Sequence, residues 1–156
     1  MKNAPTTNSN ESAPDKRNYT PGILPKKTNT VTSGVLAYLL ENQSPTGMEA
    51  VFKMSTTRLA AVIHYLGKKY AWNIERDDKA AGTNDGRISW ITVYWLPQGT
   101  ISSAFAQGAR DWIDVVKASR AKQRKFSDKC KQLANKINTC RQRVSDPRQT
   151  SFWEEK

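Results

Sequence analysis

Met54–Ile74 reads MSTTRLAAVIHYLGKKYAWNI. Leu59, Val62, Ile63 and Leu66 recur at helical spacing, which predicts an amphipathic helix over Thr56–Lys69 with Ser55 as its N-cap. Thr57, Arg58, Ala61, His64 and Lys68 fall together on the opposite face, with Tyr65 beside them and Lys69 at the end. At Trp72 and Ile74 the period changes from 3.6 to 2, and the spacing predicts a strand running to Asp77.

Upstream, Val35, Leu36, Leu39 and Leu40 mark one face of a first helix, capped by Thr32 or Ser33 and ending near Asn42–Ser44, before Pro45. Thr46-Gly47-Met48-Glu49 has the capping-box form and opens a short second helix. Its apolar face is Met48, Ala50, Val51 and Phe52, and it stops around Lys53–Met54. A tight turn of about three residues then leads into the third helix, which is the helix-turn-helix arrangement. Downstream, Lys79–Gly86 (KAAGTNDG) is turn-rich and holds the hairpin dipeptide Asp85-Gly86. Arg87–Leu96 (RISWITVYWL) alternates as a second strand and is closed by Pro97. Asp77, Asp78 and Asp85 read as turn formers rather than metal ligands. The expected fold is mainly α with a small β-hairpin: a winged helix-turn-helix over 30–97, followed by a long basic C-terminal helix.

That helix is expected over Ser102–Val144, with a break allowed at Gly108. Phe105, Ala109, Trp112, Val116, Phe126, Cys130, Leu133, Ile137, Cys140 and Val144 share one heptad register, which turns polar at Ser119 and Gln123. Three outcomes fit: a parallel or antiparallel coiled-coil homodimer, a helix folded back on its own domain, or a helix only marginally formed. The segment also holds the charge. Lys117, Arg120, Lys122, Arg124, Lys125, Lys129, Lys131, Lys136, Arg141 and Arg143 face only one acid, Asp128, and supply +9 of a net +11. Cations spaced along one rod repel each other. Phosphate would relieve this; a solvated face is the plainer alternative.

The flanks differ in composition. Residues 1–29 are rich in Asn, Ser, Thr, Pro and Lys and read as a disordered tail. In it Tyr19, Pro21, Ile23, Leu24 and Pro25 are either a docking patch or incidental hydrophobes. Residues 146–156 (DPRQTSFWEEK) form a second tail. Its Phe152-Trp153 pair either docks on a host or phage protein or packs back on the body.

With 156 residues and 37% hydrophobic side chains, one domain plus extensions is expected rather than one core spanning the chain. The mean hydropathy of −0.71 agrees. There is no apolar run of membrane-spanning length, and the first residues have no apolar signal-peptide region, so a cytoplasmic protein is expected. With one His and two Cys, neither a metal site nor a nucleophilic triad is expected. Cys130 and Cys140, ten residues apart on one helix, lie about 15 Å from each other and cannot bond. No phosphate-binding glycine loop is present, so neither an enzyme nor a cofactor is expected. The charge and the pI near 9.8 direct attention to nucleic acid, anionic membrane or an acidic protein.

Residues 30–97 resemble a family of small helix-turn-helix domains common in phage and prophage proteins. The likeness lies in VLAYLLENQSPTGMEA (Val35–Ala50), TRLAAVIHYLGKKYAWNI (Thr57–Ile74) and ITVYWL (Ile91–Leu96). It implies a winged helix, DNA binding and a bacterial-host cytoplasm. The chain departs from the pattern at Lys53 and Met54, which shorten the link between helices two and three. It departs again at Gly67-Lys68-Lys69-Tyr70, where a longer charged segment is usual. Residues 100–156 lie outside the pattern.

Placed in a major groove, the third helix presents its N-terminal side chains to the bases. Arg58 then faces guanine O6 and N7, or a phosphate. Thr57 and Ala61 face a thymine methyl or phosphate, and His64 and Tyr65 lie alongside. Lys68 and Lys69 face phosphate, and Ser55 and Thr56 offer backbone N–H groups to another. Lys79 and Arg87 flank the wing loop. The expected partner is double-stranded DNA, in a regulatory or replication-accessory role. The rivals are a protein-interaction module, such as a phage inhibitor of a host defence protein, and a non-specific nucleic-acid coat.

Overall fold

The computed structural model describes residues 19–143. The 146–156 tail, the heptad position at Val144 and the Arg143 side chain lie outside the described residues, as does the tail before residue 19. Six helices and one hairpin follow in the order α1 (Val31–Leu40), α2 (Gly47–Met54), α3 (Leu59–Tyr70), β1 (Glu75–Gly82), β2 (Ile88–Trp95), α4 (Gln98–Ala106), α5 (Ala109–Arg124) and α6 (Ser127–Arg143). Three helices and a two-stranded hairpin in this order make the winged helix-turn-helix. No described helix is long and apolar enough to cross a membrane.

The core begins at α1. Val35, Leu36, Leu39 and Leu40 are fully buried there. The cap is Thr30, one turn before Ser33 and ahead of both expected caps: its hydroxyl accepts the Ser33 N–H at 3.1 Å. Ser33 is itself buried, and its own hydroxyl donates to the Lys27 carbonyl. α2 has the expected capping box: Thr46 Oγ1 accepts from Glu49 N–H at 3.2 Å, and Glu49 Oε2 accepts from Thr46 N–H at 3.1 Å. Two of the N–H groups that a helix start leaves unsatisfied are thereby paired.

The entry to α3 differs from expectation. Ser55 does not cap α3; it closes α2 in the left-handed region at φ 56°. The helix starts at Leu59, with Arg58 as N-cap and no side-chain cap bond. Thr56 Oγ1 accepts the Arg58 N–H at 3.2 Å instead, shaping the turn just before the helix. The apolar stripe behaves as expected: Leu59 and Leu66 are buried, and Val62 and Ile63 are half-buried against the core.

β1 starts later and runs further than its expected span, to Gly82, and pairs antiparallel with β2 from Glu75↔Trp95 to Gly82↔Ile88. Trp72 is a buried plug before the strand rather than part of it. Gly86, at φ 79°, turns the hairpin tip, where Gly86 N–H donates to the Thr83 carbonyl at 3.0 Å. On the other edge of β2, Val93 bridges Thr46, and Tyr94 N–H donates to the Pro45 carbonyl at 3.3 Å. These contacts tie the wing to the start of α2.

The expected single long helix is three helices. It starts at Gln98, breaks at Gly108 in the left-handed conformation (φ 87°), and breaks again at Lys125–Phe126. Ile101, Ala104, Ala109, Ile113 and Val116 join the same core as α1, with Phe105 and Trp112 packed against it. This stretch therefore folds back on its own domain. Ile113, which the heptad register omits, is one of its buried anchors. From Ala121 to Arg141 every residue is exposed, so α6 leaves the body.

Residues 19–29 are also not the expected disordered tail. They strap across the domain. Ile23 N–H donates to the Tyr70 carbonyl at 2.7 Å, Trp72 Nε1 donates to the Ile23 carbonyl at 3.0 Å, and Trp112 Nε1 donates to the Pro25 carbonyl at 3.0 Å. Buried indole N–H groups need acceptors. A strap with few large apolar residues supplies them from its backbone.

Candidate nucleic-acid interface

α3 lies on the body through Leu59 and Leu66 and turns Thr57, Arg58, Ala61, His64, Tyr65, Lys68 and Lys69 outward, all of them exposed. No acid occurs from Arg58 to Tyr70. Among the described residues, the side chains of Arg58, His64 and Lys68 make no hydrogen bond or ion pair. Thr57 and Ala61 offer small exposed surfaces between them.

Lys69 is different. Its Nζ donates to Tyr65 Oη at 2.7 Å and lies 5.1 Å and 5.9 Å from the Tyr65 and Tyr70 ring centroids. The hydrogen bond from Lys69 lowers the Tyr65 pKa, and the same bond raises that of Lys69. Tyr65 and Tyr70 meet edge to face, at 5.8 Å between centroids. The pair holds one cation at the C-terminal end of α3, where the helix dipole also favours it.

Ser55 and Thr56 fall away as N–H donors. Ser55 N–H donates to the Val51 carbonyl and Thr56 N–H to the Ala50 carbonyl, so both serve the end of α2. The expectation assumed a helix that begins at Thr56, and the helix begins three residues later.

The wing is not basic. Residues 75–95 hold four acids (Glu75, Asp77, Asp78 and Asp85) against Arg76, Lys79 and Arg87. Arg87 is paired at the tip: its Nε donates to Asp85 Oδ2 at 2.7 Å and a second guanidinium nitrogen donates to the same oxygen. That pairing holds the Asp85 carboxyl below its usual range. Lys79, opposite Ile91 in the register, is exposed. On the other face of the hairpin stand Ile88 and Trp90, 77% and 72% exposed, with Ala80 and Gly82 opposite them. These two are the residues the reading of the strand missed. The signal was present: ISWITVYW is apolar in both phases, and a two-stranded hairpin on a small body cannot bury both. Between the wing and the N-terminal ends of α2 and α3 lies a cleft of about 410 Å³ lined by Met48, Thr57, Ala60, Ile91 and Tyr94, among others.

The basic residues of α5 divide by role. Lys117 is ion-paired with Glu41 of α1, which raises its pKa. Arg120 packs on Gly34 of α1 and donates to the Thr30 carbonyl at 3.2 Å. Burial, then the nearby Arg124, push its pKa below the ordinary arginine value. Arg124 donates to the Lys53 carbonyl at 3.4 Å. These three hold α5 on the domain and are not free for phosphate. Lys122 and Lys125 at the end of α5, and Lys129, Lys136 and Arg141 on α6, are exposed. Lys131 reaches Asp128 at 3.4 Å. Cys130 and Cys140 are free and exposed on α6. No cluster of metal-ligating side chains occurs among the described residues.

No family model, curated protein or solved structure matches this chain.

Proposed function

We propose that this chain is a non-enzymatic DNA-binding protein of phage or mobile-element type, with a regulatory or replication-accessory role. One observation carries the reading: the outward face of α3 presents Arg58, His64 and Lys68 exposed and unpaired among the described residues, on a helix-turn-helix with no acid nearby in sequence. In a major groove the N-cap position puts Arg58 nearest the base edges, and Lys68 follows the backbone. Lys122 and Lys125 extend the basic surface beyond the domain.

The test is selection from random duplex DNA at two salt concentrations. An enriched motif is expected, with affinity falling steeply as salt rises. Arg58→Ala should cost about 1–3 kcal/mol on the enriched site and relax one position of the motif. An unchanged motif removes Arg58 from the reading, and salt-sensitive binding without enrichment supports a coat protein instead. The acid-rich wing with exposed Ile88 and Trp90 favours a second reading, a module that grips a host protein. In that case no DNA is retained at either salt, and Trp90→Ala, rather than Arg58→Ala, releases the partner.

A further inference from the structure

α6 is a helix that lacks a reason to exist alone. Seventeen residues with five Lys or Arg and one acid form a marginal helix in water. Yet, counting Phe126 just before its first residue, it carries a stripe in heptad order: Phe126, Cys130, Leu133, Ile137 and Cys140 step by four and three. Phe126, Leu133 and Ile137 are 55%, 58% and 47% exposed, and both thiols are exposed as well. A seam in heptad order is the pattern that another helix buries.

The residues beside the seam select which helix. With Cys130 and Ile137 at a and Leu133 and Cys140 at d, the flanking g positions are Lys129, Lys136 and Arg143, and the e positions are Ser127, Ala134 and Arg141. The one acid, Asp128, falls at f, away from the seam. In a parallel pair of identical chains Lys136 meets Arg141 of the other copy. In an antiparallel pair g meets g and e meets e, which again brings cation to cation. A second copy of α6 is therefore opposed in both orientations. Duplex DNA would satisfy the cations and leave the apolar stripe in water. A helix with apolar a and d positions and Glu or Asp at e and g satisfies both.

We propose that α6 is a docking helix for an acidic amphipathic helix of another protein, paired through the Phe126–Cys140 seam and selected by Lys129, Lys136 and Arg141. This replaces homodimerisation as the role of the heptad register. It is independent of the α3 reading.

The full chain is titrated with two labelled synthetic peptides of four heptads, each with Leu and Ile at a and d. One carries Glu at e and g, and the other Lys. The Glu peptide is expected to bind one to one with a dissociation constant on the order of micromolar, gaining helicity as it does, and the Lys peptide at least tenfold more weakly. Leu133→Asp with Ile137→Asp should weaken the Glu peptide by tenfold or more. The charge-reversed chain, Lys129→Glu, Lys136→Glu and Arg141→Glu, should prefer the Lys peptide. All these positions are exposed, so the body of each variant stays folded, which its thermal melt verifies.

Three results overturn the proposal. One is equal binding of both peptides. Another is a wild-type dimer in sedimentation that cross-links through its thiols on mild oxidation and excludes the peptide. The third is DNA binding that is lost in the charge-reversed chain and kept in the Leu133/Ile137 variant, with no peptide preference. Failure of the α3 reading shows instead as an unchanged DNA motif in Arg58→Ala, and neither result depends on the other.

Discussion

Glu49 is joined to its neighbours by three donors: the Thr46 N–H, the Thr46 hydroxyl at 3.3 Å and Lys53 Nζ at 3.2 Å. The backbone bond from Thr46 is the largest cause of its lowered pKa, with Lys53 adding to it. A carboxyl whose folded pKa lies below its unfolded value stabilises the fold while ionised. That contribution is complete above the unfolded carboxylate range and is lost as pH falls through the lowered folded value. The start of α2 should therefore loosen in acid, seen as lower amide protection at Glu49 and Ala50 below the ordinary carboxylate pKa than at neutral pH, each rate taken relative to the intrinsic exchange rate at that pH. Thr46→Ala removes the other half of the box and should cost about 1 kcal/mol in urea unfolding. If acid leaves protection unchanged, the Glu49 half of the capping box does not hold α2. Gly22 makes a different demand. A Cβ there would overlap the Tyr70 carbonyl and the Trp72 ring, and the carbonyl cannot swing aside. Gly22→Ala should lift the strap and break its bonds at Ile23, at a cost of about 1–3 kcal/mol. An unchanged urea midpoint would mean that the strap is not part of the folded body.

At the scale of elements, α5 and α6 continue one another in sequence and differ in energy. Ile113 and Val116 are buried in the common core, and Lys117, Arg120 and Arg124 bind α5 to α1 and α2 from the side. Ile113→Ala should cost about 2–5 kcal/mol. Leu133→Asp with Ile137→Asp, on α6, should shift stability by no more than about 0.5 kcal/mol, because surface substitutions touch little. Equal losses in the two helices would mean that α6 also packs on the body. The contrast explains what the sequence could and could not tell. Short-range rules fixed α2 through Thr46 and Glu49, the stripe of α3 and the hairpin turn at Asp85-Gly86. They failed where tertiary contacts decide. Gly108 is an evident break, but nothing local marks the one at Lys125–Phe126. The strap at 19–29 is held by indole-to-carbonyl bonds across the chain, which no hydropathy pattern records. The outward face of α3 was legible because its opposite stripe was. The neutralised wing tip was not, since it depends on Arg87 meeting Asp85.

For the whole molecule, the same core runs from α1 to α5, past the hairpin that ends at Trp95. Ile101, Ala104, Ala109, Ile113 and Val116 lie in one core cluster with the buried residues of α1, while the strap bonds to Trp72 and Trp112 at once. Without α4 and α5 the core loses these five side chains, and the Trp112 bond to the strap is lost with its donor. A winged helix of under 70 residues has little apolar area to spare for such a loss. A chain ended after residue 97 should therefore unfold without a cooperative transition, or melt far below the full chain. A chain ended after residue 125 should melt within a few degrees of it. Calorimetry of the three chains decides the point. A cooperative melt of the 97-residue chain close to that of the full chain would make α4 and α5 an appendage. The expected result makes them the second wall of the core, and leaves α6 as a helix that can be removed without cost to the fold.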